Sequence, residues 1–105
     1  MGKTMAREAY LYRQVAVHSV QDYDGRVTIH PVPGQAYAPD LNVQCSRRLS
    51  DTSVYPLGTI FLVDAKLTDR LGGPQYLYVW HGDDIKALSR REAEVFLEAY
   101  RRVRL

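Results

Sequence analysis

Residues 59–69 read TIFLVDAKLTD, and this segment decides the fold because it has the composition and alternation of a β-strand. Successive side chains of a strand point to opposite sides of its sheet. One face is therefore apolar throughout, whereas the other is apolar at its start and charged at its end. The two expected faces are Phe61, Val63, Ala65 and Leu67 on one side, and Ile60, Leu62, Asp64 and Lys66 on the other.

The segment that follows predicts a β-hairpin. Residues 71–74, LGGP, are a turn signal, and residues 75–80, QYLYVW, read as the partner strand. Leu77 and Val79 take one face of this strand, and Tyr76, Tyr78 and Trp80 take the other. Because hairpin register brings apolar faces together, we expect the three aromatic residues on the same side as Asp64 and Lys66.

Other segments predict a second hairpin, two short strands and one helix. Residues 10–20 and 26–32 flank an Asp-Gly turn at 22–25 and read as paired strands. Residues 42–46 and 85–88 predict short strands, while 47–58 are polar and predict a surface crossing. SRRE at 89–92 predicts a capping box that opens a helix. The apolar face of this helix is expected to consist of Ala93, Phe96, Leu97, Tyr100 and Val103.

This element order predicts a single domain over residues 1–105 with an α+β, β-rich fold. We expect a small antiparallel curled sheet or partly open barrel of about five to six strands, covered by one C-terminal amphipathic helix. No apolar run approaches the roughly 20 residues needed to cross a bilayer, so we expect no membrane association. The absence of an apolar signal-peptide core and the single Cys45 favour a cytoplasmic location.

The protein is not strongly basic, and its small excess of positive charge lies on one element. The net charge is +2, and residues 90–105 alone contribute five arginines against three glutamates. The rest of the chain is neutral. Overall charge therefore gives no argument for nucleic-acid binding, and any such function must depend on a local surface.

The aromatic side of the second hairpin is the main candidate binding surface. Small β-barrels hold single-stranded nucleic acid on exposed aromatic rings flanked by cations. The residues expected to take part are Tyr76, Tyr78, Trp80, Lys66, Arg47, Arg48 and Arg70. The alternatives are that the rings pack beneath the helix or against another chain, which would bury large apolar areas.

A second interpretation is enzymatic. Pro39-Asp40 followed by Asp64-Ala65-Lys66 matches the PD…(D/E)xK pattern of a nuclease superfamily, although only as a short pattern. Asp40 and Asp64 would hold Mg²⁺, and Lys66 would orient the attacking water. Against this, the superfamily places its residues in a sheet flanked by helices, whereas the segment before Asp40 predicts a hairpin and a loop.

The sequence most favours a non-catalytic binding or interaction module without a cofactor, in which Mg²⁺ has a role only under the nuclease alternative. Its partner would be single-stranded nucleic acid or another protein. A homo-oligomeric structural domain or a small-ligand-binding domain is the remaining alternative. Cys45 predicts a small apolar side chain in a strand, and no spacing among the three histidines predicts a metal site.

Overall fold

The computed structural model describes residues 9–80 and 82–104. Within these residues, six strands form one sheet, and a single α-helix follows them. Their bounds are β1 (Arg13–Gln21), β2 (Val27–Pro31), β3 (Val43–Gln44), β4 (Ile60–Thr68), β5 (Tyr76–Val79), β6 (Lys86–Leu88) and α1 (Arg90–Arg104). Short 3-10 helices occupy Ala9–Leu11 and Arg47–Ser50.

Strand β4 is the centre of the sheet. Along one edge it pairs antiparallel with β1, and Val63 lies opposite Val15. Along the other edge it pairs with β6 over its first residues and with β5 over its last ones. β5 and β6 therefore lie one after the other along the same edge of β4, separated by the turn that joins them.

The two predicted hairpins are present. β1 and β2 pair antiparallel across the Asp22–Arg26 turn, in which the Gly25 amide donates to the Asp22 carbonyl at 2.9 Å. Gly25 has a φ of 88°, a conformation that glycine adopts without strain. β4 and β5 form the second hairpin, with Leu67 opposite Leu77.

Strand β3 makes the sheet mixed and brings its ends together. β3 pairs parallel with β5, which gives the strand order β2-β1-β4-β5-β3 with β6 beside β4. The segment before β3 meets β2, where His30 Nδ1 lies 2.9 Å from the Leu41 carbonyl oxygen. The carbonyl can only accept, so Nδ1 carries the proton and the ring closes the seam of a nearly complete barrel.

The barrel interior is filled by the inward faces of the strands. The largest fully buried side chains include Phe61 of β4, Val15 and Val17 of β1, and Leu77 and Val79 of β5. Tyr55, from the segment before β4, packs edge-on against Phe61 with ring centroids 4.9 Å apart. The apolar face predicted for β4 is therefore the core face, except that Leu67 at the barrel end is 41% exposed.

Helix α1 begins as predicted, and its first turn contains its most deeply buried residue. The Ser89 amide donates to Glu92 Oε1 at 2.9 Å, and the Glu92 amide donates to Ser89 Oγ at 3.1 Å, which completes the capping box. Ala93 is 3% exposed, whereas Phe96 and Tyr100 are only half-buried. Within residues 9–80 and 82–104, we find no helix with the length and apolar composition of a bilayer-spanning segment.

Candidate functional site

The outer surface of β4, β5 and β3 carries a row of side chains that crosses the three strands. Lys66 of β4 lies opposite Tyr78 of β5, and Tyr78 lies opposite Gln44 of β3. Because Leu77 and Val79 face the core, alternation directs Tyr78 outward. Lys66 and Tyr78 are half-buried and Gln44 is exposed, so each side chain of this row is at least partly accessible.

Tyr76 and Arg70 extend the row toward the tip of the hairpin. The Arg70 guanidinium carbon lies 5.2 Å from the centroid of the Tyr76 ring, and Arg70 Nη2 donates to Gln44 Oε1 at 2.5 Å. One arginine thus spans two strands and holds its charge over an aromatic ring. A shallow groove of about 290 Å³ lies beside it, lined by Asn42, Val43, Gln44, Arg70, Pro74, Gln75 and Tyr76.

Tyr12 adds an aromatic residue that sequence reasoning missed. Lys66 Nζ lies 5.8 Å from the centroid of the Tyr12 ring. Tyr12 directly precedes Arg13, which pairs with Ala65, so continuing this register places Tyr12 beside Lys66. The start of the first predicted strand is rich in tyrosine, but only the pairing of β1 with β4 shows that Tyr12 lies beside Lys66. We call Tyr12, Gln44, Lys66, Arg70, Tyr76 and Tyr78 the tyrosine face.

Arg47 and Arg48 lie beyond β3, in the 3-10 helix that follows it, and both are exposed. Arg47 lines a second shallow groove of about 230 Å³, which also contains Thr28, Ile29, Asn42, Val43, Cys45, Ser46 and Ser50. Asn42 and Val43 line this groove and the one beside Tyr76. The two grooves therefore flank β3, and a bound chain that crossed β3 would pass from Arg70 toward Arg47.

Trp80 follows β5 and is half-buried. Its indole packs on Gly82, because a Cβ atom added to Gly82 would lie 2.4 Å from two ring carbons. The Asp83 amide donates to the Trp80 carbonyl at 3.0 Å and closes the same turn. Trp80 therefore has a role in the turn between β5 and β6, and it is a less direct probe of binding than Tyr78.

The two aspartates of the nuclease pattern lie on different elements, Asp64 in strand β4 and Asp40 in a turn. Asp64 is exposed on β4 and lines a groove of about 250 Å³ together with Gln14, Leu62, Val63, Asp84, Ile85 and Lys86. Asp40 lies in the exposed turn before β3, whose neighbours are β5 and the seam with β2. The described part of the chain contains no group of three or more His, Cys, Asp or Glu placed to hold a metal ion. The nuclease interpretation with Asp40, Asp64 and Lys66 stays a prediction.

Two histidines face each other across β1 and β2. His18 lies opposite His30, whose Nε2 accepts from Thr28 Oγ1 at 2.9 Å. Burial, and to a lesser extent the charge of His30, lowers the pKa of His18. Cys45 is half-buried beside the core, and burial raises the pKa of its thiol to about 11, in keeping with a packing role. The third histidine, at position 81, lies outside the described residues.

Comparison of the chain with protein-family models, with curated proteins and with solved structures gives no match.

Proposed function

We propose that the protein is a non-catalytic module that binds single-stranded nucleic acid on the tyrosine face. The observation that carries this proposal is the partly exposed cross-strand row Lys66–Tyr78–Gln44, with Tyr76 and Arg70 beside it. The row lies on the outer surface of a small barrel, where the half-buried tyrosine rings keep part of their surface accessible to unpaired bases.

The chemistry of the tyrosine face suits stacked bases and their phosphates. Each base has a flat π surface, so a half-exposed tyrosine ring accepts any base by stacking. Lys66 and Arg70 already lie within cation–π distance of Tyr12 and Tyr76, so positive charge sits at the edge of the platform. Gln44 and Asn42 place exposed amide groups within reach of base edges.

Two arginines outside the tyrosine face extend the proposed binding surface for the nucleic-acid strand. Arg47 and Arg48 are exposed on the far side of β3, and the groove beside Arg47 adjoins the groove beside Arg70. The proposed path of the strand runs across β3, with bases on Tyr78 and Tyr76 and phosphates near the arginines. This arrangement needs no high net charge, because its cations are concentrated along one path.

Fluorescence anisotropy with labelled oligothymidine and oligouridine, each of about ten nucleotides, tests the proposal directly. Tyr78→Val removes the central ring and keeps a residue that favours strands. We expect its dissociation constant to rise roughly 5- to 100-fold, which corresponds to the loss of about one stacked base. The matched control is Tyr23→Val, because Tyr23 is 98% exposed in the β1–β2 turn, away from the tyrosine face.

A charge-matched pair tests the role of the cation. Lys66→Met retains the aliphatic stem, and Arg26→Met removes the same charge from the end of the β1–β2 turn. If Lys66 contacts a phosphate, its replacement lowers the slope of log affinity against log salt by about 0.7, whereas Arg26→Met leaves this slope unchanged.

Three outcomes contradict the proposal. They are the absence of binding at low salt, equal effects of Tyr78→Val and Tyr23→Val, and loss of the fold in Tyr78→Val by circular dichroism. If Tyr78→Val instead changes the molecular mass measured by sedimentation, the tyrosine face is a surface of self-association.

The nuclease alternative is tested in the same samples by adding Mg²⁺ or Mn²⁺. If the oligonucleotide is cleaved and Asp64→Asn abolishes this cleavage, the protein is a nuclease and not a non-catalytic binding module.

A further inference from the structure

A cleft of about 540 Å³ lies between α1 and the start of β1. Helix α1 is firmly seated at Ala93, but its later apolar residues remain half-buried, which leaves the cleft beneath them. The lining residues are Arg13, Gln14, Ala36, Tyr37, Phe96, Ala99 and Tyr100. The volume is typical of sites for small organic molecules, and the lining is mostly aromatic and alanine.

One wall of this cleft is held in place by a side-chain amide. Gln35 Nε2 donates to the carbonyl oxygens of Ala16 and Val32, each at 2.8 Å, and its Oε1 accepts from the Ala16 amide at 2.8 Å. Three hydrogen bonds thus fix the loop that carries Ala36 and Tyr37 against β1. Tyr37 also packs against the barrel core, so this wall does not depend on the position of the helix.

Arg13 supplies the positive charge at the rim. Its Nη1 donates to the Tyr10 carbonyl at 2.6 Å and to the Tyr12 carbonyl at 3.1 Å, which orients the guanidinium. Among residues 9–80 and 82–104, no hydrogen-bond acceptor or acidic side chain engages its Nε or Nη2. These two nitrogens form the fork that binds a carboxylate with two parallel hydrogen bonds.

We propose that this cleft is a binding site for a small aromatic carboxylic acid. Tyr37, Phe96 and Tyr100 offer edge and face contacts to a flat ring, while Arg13 pairs with the carboxylate. The site lies outside the barrel, whose interior is filled by its own side chains. It is independent of the proposed nucleic-acid function, because the tyrosine face and the cleft share no residue.

Two-dimensional ¹H–¹⁵N NMR titration of the full chain with naphthalene-2-carboxylate tests this site. Naphthalene-2-carboxamide is the neutral probe of the same shape. We expect shifts at the amides of Ala36, Phe96 and Ala99, and about tenfold tighter binding of the acid than of the amide. In Arg13→Met the acid loses this advantage and binds as weakly as the amide, whereas the charge-matched Arg26→Met retains it.

A filling variant separates the cleft from the rest of the surface. Ala99→Phe places a ring in the cleft and weakens both probes at least about tenfold. Val95→Phe, on the same helix, is the control, because Val95 is 58% exposed and does not line the cleft. Equal affinity for acid and amide, unchanged binding by Ala99→Phe, or shifts confined to Tyr76 and Tyr78 would each overturn the proposal. Circular dichroism verifies that every variant is folded.

Discussion

Tyr78 is the residue that most clearly connects sequence, fold and proposed function. Its neighbours in sequence, Leu77 and Val79, are 0% and 2% exposed and point into the barrel, so Tyr78 must point out. Its neighbours in space are Lys66 and Gln44, one on each side. A ring between a cation and an amide combines stacking surface, charge and hydrogen-bonding groups within a single cross-strand row.

His18 provides a prediction at the same scale. Its pKa in the folded protein is lowered, mainly by burial, so the unfolded chain binds a proton more readily than the folded one. Well above the unfolded pKa of about 6.5, His18 therefore has no effect on the free energy of unfolding. As the pH falls below that value, His18 lowers the free energy of unfolding. Urea unfolding between pH 7.5 and 5.5 measures this loss, which His18→Gln should diminish. A variant with the full pH dependence of the original protein would exclude His18 as its source.

Single residues also mark the limits of the sequence analysis. Alternation alone predicts that Tyr76 and Tyr78 lie on the same side of the hairpin as Lys66, and the strand register, with Tyr78 opposite Lys66, confirms this. Tyr12 and Gln35 could not be found in this way. The position of Tyr12 depends on which strand borders β4, and Gln35 acts through a side-chain amide that no spacing rule predicts.

Among the elements, the loop between β2 and β3 has the clearest energetic role. Gln35 extends the hydrogen bonding of β1 beyond the point where β2 ends. Gln35→Glu keeps the shape, but a carboxylate cannot donate to the carbonyl oxygens of Ala16 and Val32. We expect the free energy of unfolding in urea to fall by roughly 1–3 kcal/mol. Gln75→Glu, on an exposed loop, should change it much less, and similar losses in both variants would contradict this role.

Helix α1 offers a second prediction at the scale of elements. Ser89 accepts from the Glu92 amide, and burial of Ala93 ties the first turn to the barrel. We expect Ser89→Ala to lower the free energy of unfolding by about 1 kcal/mol, while Ser89→Asp, which can cap in the same way, restores most of it. An equal loss in both variants would show that the hydroxyl does not act as a cap.

Elements with local signals were predictable, whereas those that depend on distant pairing were not. The two hairpins and the capping box follow from turns, alternation and spacing within a few residues. The parallel pairing of β3 with β5 joins strands far apart in the chain, and β3 has only two residues, too few for a periodic signal. The mixed sheet and its seam at His30 therefore required the three-dimensional structure.

On the scale of the whole molecule, the fold separates three environments. The barrel interior is filled and supplies stability, the outer face of β4, β5 and β3 presents half-buried tyrosines with cations, and α1 leaves a cleft beside β1. Tyr12 and Arg13 are adjacent in sequence yet belong to the two different surfaces. Each surface therefore needs probes and variants that leave the other intact.

Binding of nucleic acid to the tyrosine face is tested most directly by mapping, with ¹H–¹⁵N NMR, the amides that an unlabelled oligothymidine or oligouridine perturbs. We predict that the largest shifts fall on β4, β5 and β3 around Lys66, Tyr76, Tyr78 and Gln44, and that they diminish as salt is raised. We also predict small shifts in the β1–β2 turn around Tyr23. Largest shifts on α1 or in the β1–β2 turn, or no shifts at low salt with either oligonucleotide, would contradict the assignment of the tyrosine face as the binding surface.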